Sequence, residues 1–239
     1  MEMSAPLVLL PGLICNANIF AAQTAVFPGA IAWNGYRDSS SLTDMAQQLL
    51  DDGPERMSLL GHSMGARVAL EVFRQAPHRV ERLALVSTGT HPVQPGEAEK
   101  RHALLALGRA GGMEALVDRW LPPMVAPGRR DRGELIAQLR QMCIEAGVDT
   151  FAAQVEALLS RPPLDDLLPQ IDCPTLVAVG ALDVWSPPDQ HAAIASAIPH
   201  ARLAVVADSG HMLPAEQPTA LNRHIVEWLS AASSRRPQP

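Results

Sequence analysis

Residues 59–65 read Leu59-Leu60-Gly61-His62-Ser63-Met64-Gly65. An apolar run ends in a serine with a glycine two residues to either side. Alone, the stretch is open to two readings: Ser63 is a nucleophile, or it is part of a glycine-rich turn. The flanks narrow the choice. Met57–Leu60 is an apolar run of strand length, and Met64–Gln75 has helical spacing and stops before Ala76-Pro77. A serine at such a junction projects past the end of a strand. It sits beside a helix N-terminus, with free N–H groups and a positive partial charge. A side chain at Gly61 or Gly65 would collide with the neighbouring helix or strand.

The same rhythm runs along the chain. Other short apolar runs are Leu7–Leu10, Ala30–Trp33, Leu83–Ser87, Thr175–Val179 and Leu203–Ala207. They are continuous rather than alternating, as in strands covered on both faces. Helical candidates lie between them: Leu42–Leu50, with a capping-box-like start at Ser41-Leu42-Thr43-Asp44, then Asp189–Ile198 and Thr219–Ala231. This pattern predicts an α/β fold, a mostly parallel sheet of about six strands with helices on both faces.

The rhythm breaks between about Pro95 and Pro169. Helical patterns take over at Glu97–Arg109, Met113–Trp120, Asp131–Ala146 and Thr150–Leu159, punctuated by prolines. We expect a core of residues 1–95 and 170–232, a helical cap insertion at 96–169, and a disordered tail at 233–239.

Composition excludes several classes. The chain has 239 residues, 47% of them hydrophobic, which suits one large domain and not a disordered chain. A net charge of −6 argues against nucleic acid. The short Arg129-Arg130-Asp131-Arg132 cluster reads as a solvated loop. Cys15, Cys143 and Cys173 are too sparse for a disulfide framework and lack metal-ligand spacing, so no metal and no cofactor is expected. The apolar start is interrupted by Pro11-Gly12 and no basic residue precedes it, which disfavours a signal peptide. No run approaches the ~20 apolar residues of a membrane helix. The expectation is a cytoplasmic protein with no membrane partner and an unassigned oligomeric state.

A serine hydroxyl needs a base. In "VVADSGHMLPAEQP", His211 follows the run Leu203–Ala207, at the sheet edge where open α/β folds place their ligands. Other histidines have weaker claims. His62, inside the elbow, reads as structural. His78, His191, His200 and His224 sit in or near helices and polar stretches, and His91 and His102 flank the insertion. Solvated surface is the preferred reading for these. The base needs an orienting acid. Asp183 follows Thr175–Val179 at the same edge. Its rival, Asp208, stands only three residues before His211 and reads better as an Asx-turn residue.

The order Ser63, Asp183, His211 and the stretches "LVLLPGLICNANIF", "LLGHSMGARVAL", "PTLVAVGALDVWSPP" and "DSGHMLPAEQP" resemble the α/β-hydrolase superfamily over nearly the whole chain. Within it the chain is similar to small esterases and lactonases with a helical cap, such as the pimeloyl-carrier-protein methyl ester esterases and the 3-oxoadipate enol-lactonases. The resemblance implies an oxyanion hole from the backbone N–H groups of Met64 and Leu13. Pro11-Gly12-Leu13 departs from the usual His-Gly pair, which removes a side-chain bond that braces this loop. The two antiparallel strands that usually open the family's sheet are not expected, since only six residues precede Leu7.

Candidate substrate-facing residues are Ile14, Met113, Trp120, Met124, Val184, Trp185 and Met212, with Leu121 beside them. As a group they favour an apolar substrate over a sugar or a charged group. The expected activity is hydrolysis of a small carboxylic ester or lactone through an acyl-enzyme on Ser63. The alternatives are C–C bond hydrolysis, thioester hydrolysis or hydroxynitrile lysis by the same residues, or a non-catalytic ligand receptor on this scaffold.

Overall fold

The computed structural model describes residues 5–36, 39–130 and 133–231. The strands are β1 (Leu7–Leu10), β2 (Ile31–Ala32), β3 (Met57–His62), β4 (Val80–Val86), β5 (Thr175–Gly180) and β6 (Arg202–Val206). They form one sheet in the order β2-β1-β3-β4-β5-β6, with every pair parallel. Strands β1, β3 and β5 are buried throughout, as continuous apolar runs require, and β4 is buried except at Glu81. The edge strand β6 departs from that expectation: it alternates, and Leu203 and Val205 are exposed. β3 continues two residues beyond the predicted run, through Gly61 and His62.

The helices are α1 (Ala21–Val26), α2 (Leu42–Asp52), α3 (Met64–Gln75), α4 (Glu97–Trp120), α5 (Gly133–Ala146), α6 (Val148–Leu159), α7 (Pro188–Ala197), α8 (Leu213–Glu216) and α9 (Pro218–Ser230). Ser41 caps α2 by accepting the Asp44 N–H at 3.2 Å. Between β4 and β5 the described chain is helical and contains no strand. The two helices expected at Glu97–Arg109 and Met113–Trp120 run together as α4, broken at Gly112 (φ 80, ψ 171). That backbone favours glycine, so the helix can change direction there. The expected start of α5 at Asp131 and the expected tail at 233–239 lie outside the described residues.

Topology fixes where a site can form. The chain leaves β1 for β2 on one side and returns to β3 on the other, so the sheet's winding reverses between β1 and β3. Crevices open at such a switch, beyond the C-terminal ends of the strands. Leu10 of β1 is in register with Gly61 of β3. The loop after β1 therefore lies beside Ser63.

Candidate active site

Ser63 occupies the turn between β3 and α3 with φ 55 and ψ −116. This is a disfavoured backbone for a residue with a Cβ, costing about 1–3 kcal/mol. Its surroundings hold it there. Its N–H donates to Val86 O at 2.8 Å, and its own carbonyl accepts from the Thr88 hydroxyl at 2.9 Å. The flanking glycines are steric requirements. A Cβ on Gly61 would stand 2.3 Å from Ala66 Cα in α3, and one on Gly65 would stand 2.1 Å from Leu10 O at the end of β1.

Three side chains form one hydrogen-bonded series. Ser63 Oγ lies 2.9 Å from His211 Nε2, and His211 Nδ1 lies 2.9 Å from Asp183 Oδ2. The other Asp183 oxygen accepts the N–H groups of Trp185 at 2.9 Å and Ser186 at 2.8 Å. Burial alone would raise the Asp183 pKa. The facing His211 and these two N–H groups outweigh it and hold the carboxyl below its ordinary range. An ionised Asp183 accepts from His211 Nδ1–H, which leaves Nε2 to accept the Ser63 hydroxyl proton. Asp208 is exposed at φ 53, and its carbonyl accepts from Arg129 Nε at 2.7 Å.

The loop carrying His211 is held from below. Glu216 is buried, and its carboxylate accepts the N–H groups of Ala126 at 2.8 Å and of Gly210 and Met212 at 3.0 Å each. Burial pushes its pKa up against the pull of these donors. The His211 N–H donates to Met124 O at 2.8 Å, so the end of the helical segment and the histidine loop are tied together.

His191 is buried, contrary to its surface reading, and His62, which reads as structural, is buried too. His62 Nε2 lies 2.9 Å from His211 O; a carbonyl only accepts, so His62 donates. Burial, with the nearby His211 adding to it, lowers the His62 pKa to about 3. His191 Nε2 accepts the Thr88 N–H at 2.9 Å. Their sequence signal was weak, because a histidine in a helix or turn looks the same buried or exposed.

Leu13 and Met64 line the cavity together with Ser63 and His211. Among the described residues, neither N–H has a hydrogen-bond acceptor. The loop has a brace that the sequence did not reveal: the Ile14 N–H donates to Gln154 Oε1 at 2.7 Å, and Tyr36, the chain's one tyrosine, donates its hydroxyl to Pro11 O at 3.1 Å.

The cavity has a volume of about 290 Å³. Trp120, Met124 and Trp185 line it; Ile14, Met113, Val184, Met212 and Leu121 do not. Ile14 takes φ 50 and faces a separate hollow beside Tyr36 and Gln154. Met113, Leu121 and Met212 are buried in the core. Val184 is 72% exposed, because the turn that sends the Asp183 carboxylate inward sends its neighbour outward. The wall is also less apolar than expected: Arg67, Lys100, Arg101, Arg161 and Glu97 line it beside Leu104, Phe151 and Leu158.

Comparison with known proteins agrees with the fold. Residues 22–224 match the model of the alpha/beta hydrolase family. The chain is 29% identical over 179 residues to a pimeloyl-[acyl-carrier protein] methyl ester esterase of Nitrosomonas europaea, covering 72% of this chain and 70% of that one. It is 30% identical over 190 residues to a 2-hydroxy-6-oxononadienedioate/2-hydroxy-6-oxononatrienedioate hydrolase of Pseudomonas putida, covering 74% of this chain and 64% of that one. A malate-bound structure of a thermophilic esterase from Thermogutta terrifontis superposes with a TM-score of 0.87 at 29% identity, over 95% of this chain and 90% of that one. With the matched segment spanning both the serine elbow and the His211 loop, the chain belongs to the alpha/beta hydrolase family.

Proposed function

We propose that this protein hydrolyses a carboxylic ester or lactone through an acyl-enzyme on Ser63. The observation that carries the reading is the unbroken series from Ser63 Oγ through His211 to Asp183, with 2.9 Å at each step, opening on the cavity. In this reading His211 Nε2 takes the Ser63 proton as Oγ attacks the carbonyl carbon. Asp183 holds the tautomer and stabilises the imidazolium that forms. The Leu13 and Met64 N–H groups receive the developing oxyanion. His211 then protonates the leaving alkoxide. A water, deprotonated by His211, attacks the acyl carbon, and Ser63 leaves with the proton. The esterases among its relatives support the reading.

The test is turnover of short nitrophenyl esters and labelling by a fluorophosphonate. Wild type should turn over the esters and take the label on Ser63. Ser63→Ala should lose both while keeping its circular dichroism spectrum. Turnover by Ser63→Ala above a few per cent of wild type would overturn the assignment. An unlabelled Ser63 in folded wild type would favour a non-catalytic receptor.

A further inference from the structure

The cavity over Ser63 is strongly cationic. Four basic side chains, Arg67, Lys100, Arg101 and Arg161, line it with one carboxylate, Glu97. The whole chain carries a formal charge of −6, so this cluster runs against the balance of the molecule. What it can bind depends on which donors are already engaged.

Arg161 is fully engaged. Its Nε donates to His91 O at 3.2 Å, Nη1 to Glu97 Oε1 at 2.7 Å and Leu158 O at 2.8 Å, and Nη2 to Glu97 Oε2 at 2.6 Å and Pro92 O at 2.9 Å. These bonds use all of its N–H groups. Arg161 is structural. Glu97 is saturated too, since Arg101 Nε and Nη2 and the Gln94 N–H also reach it. Burial would raise the Glu97 pKa, but Arg161, Gln94 and Arg101 together bring it down to about 2. One carboxylate is shared by two guanidiniums and leaves none for a third.

Arg67 is that third guanidinium. It stands one helical turn after Ser63 on α3 and is only 6% exposed. Among the described residues its guanidinium makes one hydrogen bond, from Nη2 to His91 O at 2.9 Å, and no ion pair. A buried charge with so few partners is costly. Burial, with Arg161 adding to it and Glu97 opposing, lowers the Arg67 pKa to about 9, so it stays charged at neutral pH. Arg67 lines the cavity together with Ser63, Arg101 and Lys100, and its one bond, to His91 O, leaves most of its N–H groups without a protein acceptor among the described residues. A planar guanidinium fork matches a carboxylate with two parallel bonds.

We propose that the cavity recognises substrates carrying a carboxylate remote from the scissile carbonyl, with Arg67 as the principal anchor and Arg101 and Lys100 beside it. The substrate class is then a half-ester of a dicarboxylic acid, or a lactone bearing a free carboxylate. Leu104, Phe151 and Leu158 offer apolar surface to the spacer between the two ends. The inference rests on the reading of Ser63 as an ester-cleaving nucleophile and adds the substrate's charge to it.

Matched substrates test it: the monomethyl and dimethyl esters of glutaric and adipic acid. In wild type the half-ester should show kcat/KM about tenfold or more above the diester, mainly through KM. In Arg67→Met the ratio of the two should fall by about 10- to 100-fold, and in Arg67→Lys, which keeps the charge but loses the fork, by less. A wild-type ratio of one or below overturns the proposal, and that measurement needs no variant to fold. Calorimetric titration of adipate into Ser63→Ala and Ser63→Ala/Arg67→Met separates the two readings. If wild type cleaves neither ester yet adipate binds in an Arg67-dependent way, the ester reading falls and the anion site stands. If both esters are cleaved alike and adipate does not bind, the anion site falls and the ester reading stands.

Discussion

The side-chain oxygen of Gln154, on α6, accepts the backbone N–H of Ile14 at 2.7 Å, and both residues are buried. The bond joins the helical segment to the loop whose next N–H upstream belongs to Leu13. Ile14 is β-branched and sits at φ 50, a conformation such residues rarely adopt. Something must hold it, and the loop lacks the histidine that its relatives' pattern implies. Gln154 supplies the hold from 140 residues away in sequence.

Gln154→Leu keeps the volume and removes the acceptor. The orphaned Ile14 N–H should cost about 1–3 kcal/mol of stability. If the loop then shifts the Leu13 N–H, nitrophenyl ester turnover should lose about tenfold in kcat with little change in KM. Gln154→Glu, which keeps an acceptor oxygen, should recover most of the rate. Steady-state kinetics on the two variants decide the matter. A lowered melting temperature with unchanged kcat would make Gln154 a packing residue only.

Asp183 and Asp208 compete for one role in the sequence, and their geometry predicts opposite outcomes on substitution. Asp183→Asn keeps the two backbone N–H bonds to one side-chain oxygen and removes the charge facing His211. Loss of the orienting charge should lower kcat by about 10³- to 10⁴-fold with the fold retained. Asp208→Asn alters an exposed side chain in a left-handed turn that asparagine tolerates. Its kcat should stay within about twofold of wild type. Parallel kinetics of both variants, with circular dichroism as the control, test the assignment; equal losses would return the role to Asp208.

The architecture was legible because it depends on periodicity. Continuous apolar runs mark the buried strands of the sheet's centre, and β1, β3, β4 and β5 overlap four of them, while the run at the edge became the half-exposed β6. The positions of Ser63, Asp183 and His211 were legible for the same reason, since each follows a strand. The direction of a side chain is harder to read. Ile14 and Leu13 are neighbours in one loop, yet a positive φ at Ile14 turns only one of them toward the cavity. The cavity's charge was missed because its parts look ordinary in sequence. Glu97 and Arg101 have the i,i+4 spacing of any surface helix pair, and Arg161 stands before the prolines Pro162-Pro163. Arg67 alone carried a signal: it is a charge inside the otherwise apolar run "MGARVAL" of a helix that enters the core.

His62 gives the fold a pH dependence whose sign follows from its burial. In the folded protein its pKa lies at about 3, and in the unfolded chain near the ordinary ~6.5. The folded state therefore favours the neutral ring. The stability tied to this group is fully present above about pH 6.5 and is lost as pH falls toward 3, because only the unfolded chain takes up the proton. The slope from one such group is about 1.4 kcal/mol per pH unit. His191, lowered in the same direction by burial, adds to it. His62→Gln keeps a donor for the His211 carbonyl and removes the titration. Its stability should therefore fall less steeply than that of wild type between about pH 6 and pH 5, by about one proton's worth of slope. Urea unfolding midpoints measured across that range give the comparison. Equal slopes in the two proteins would mean that His62 is protonated in the folded state, and that the bond to His211 O does not require a neutral ring.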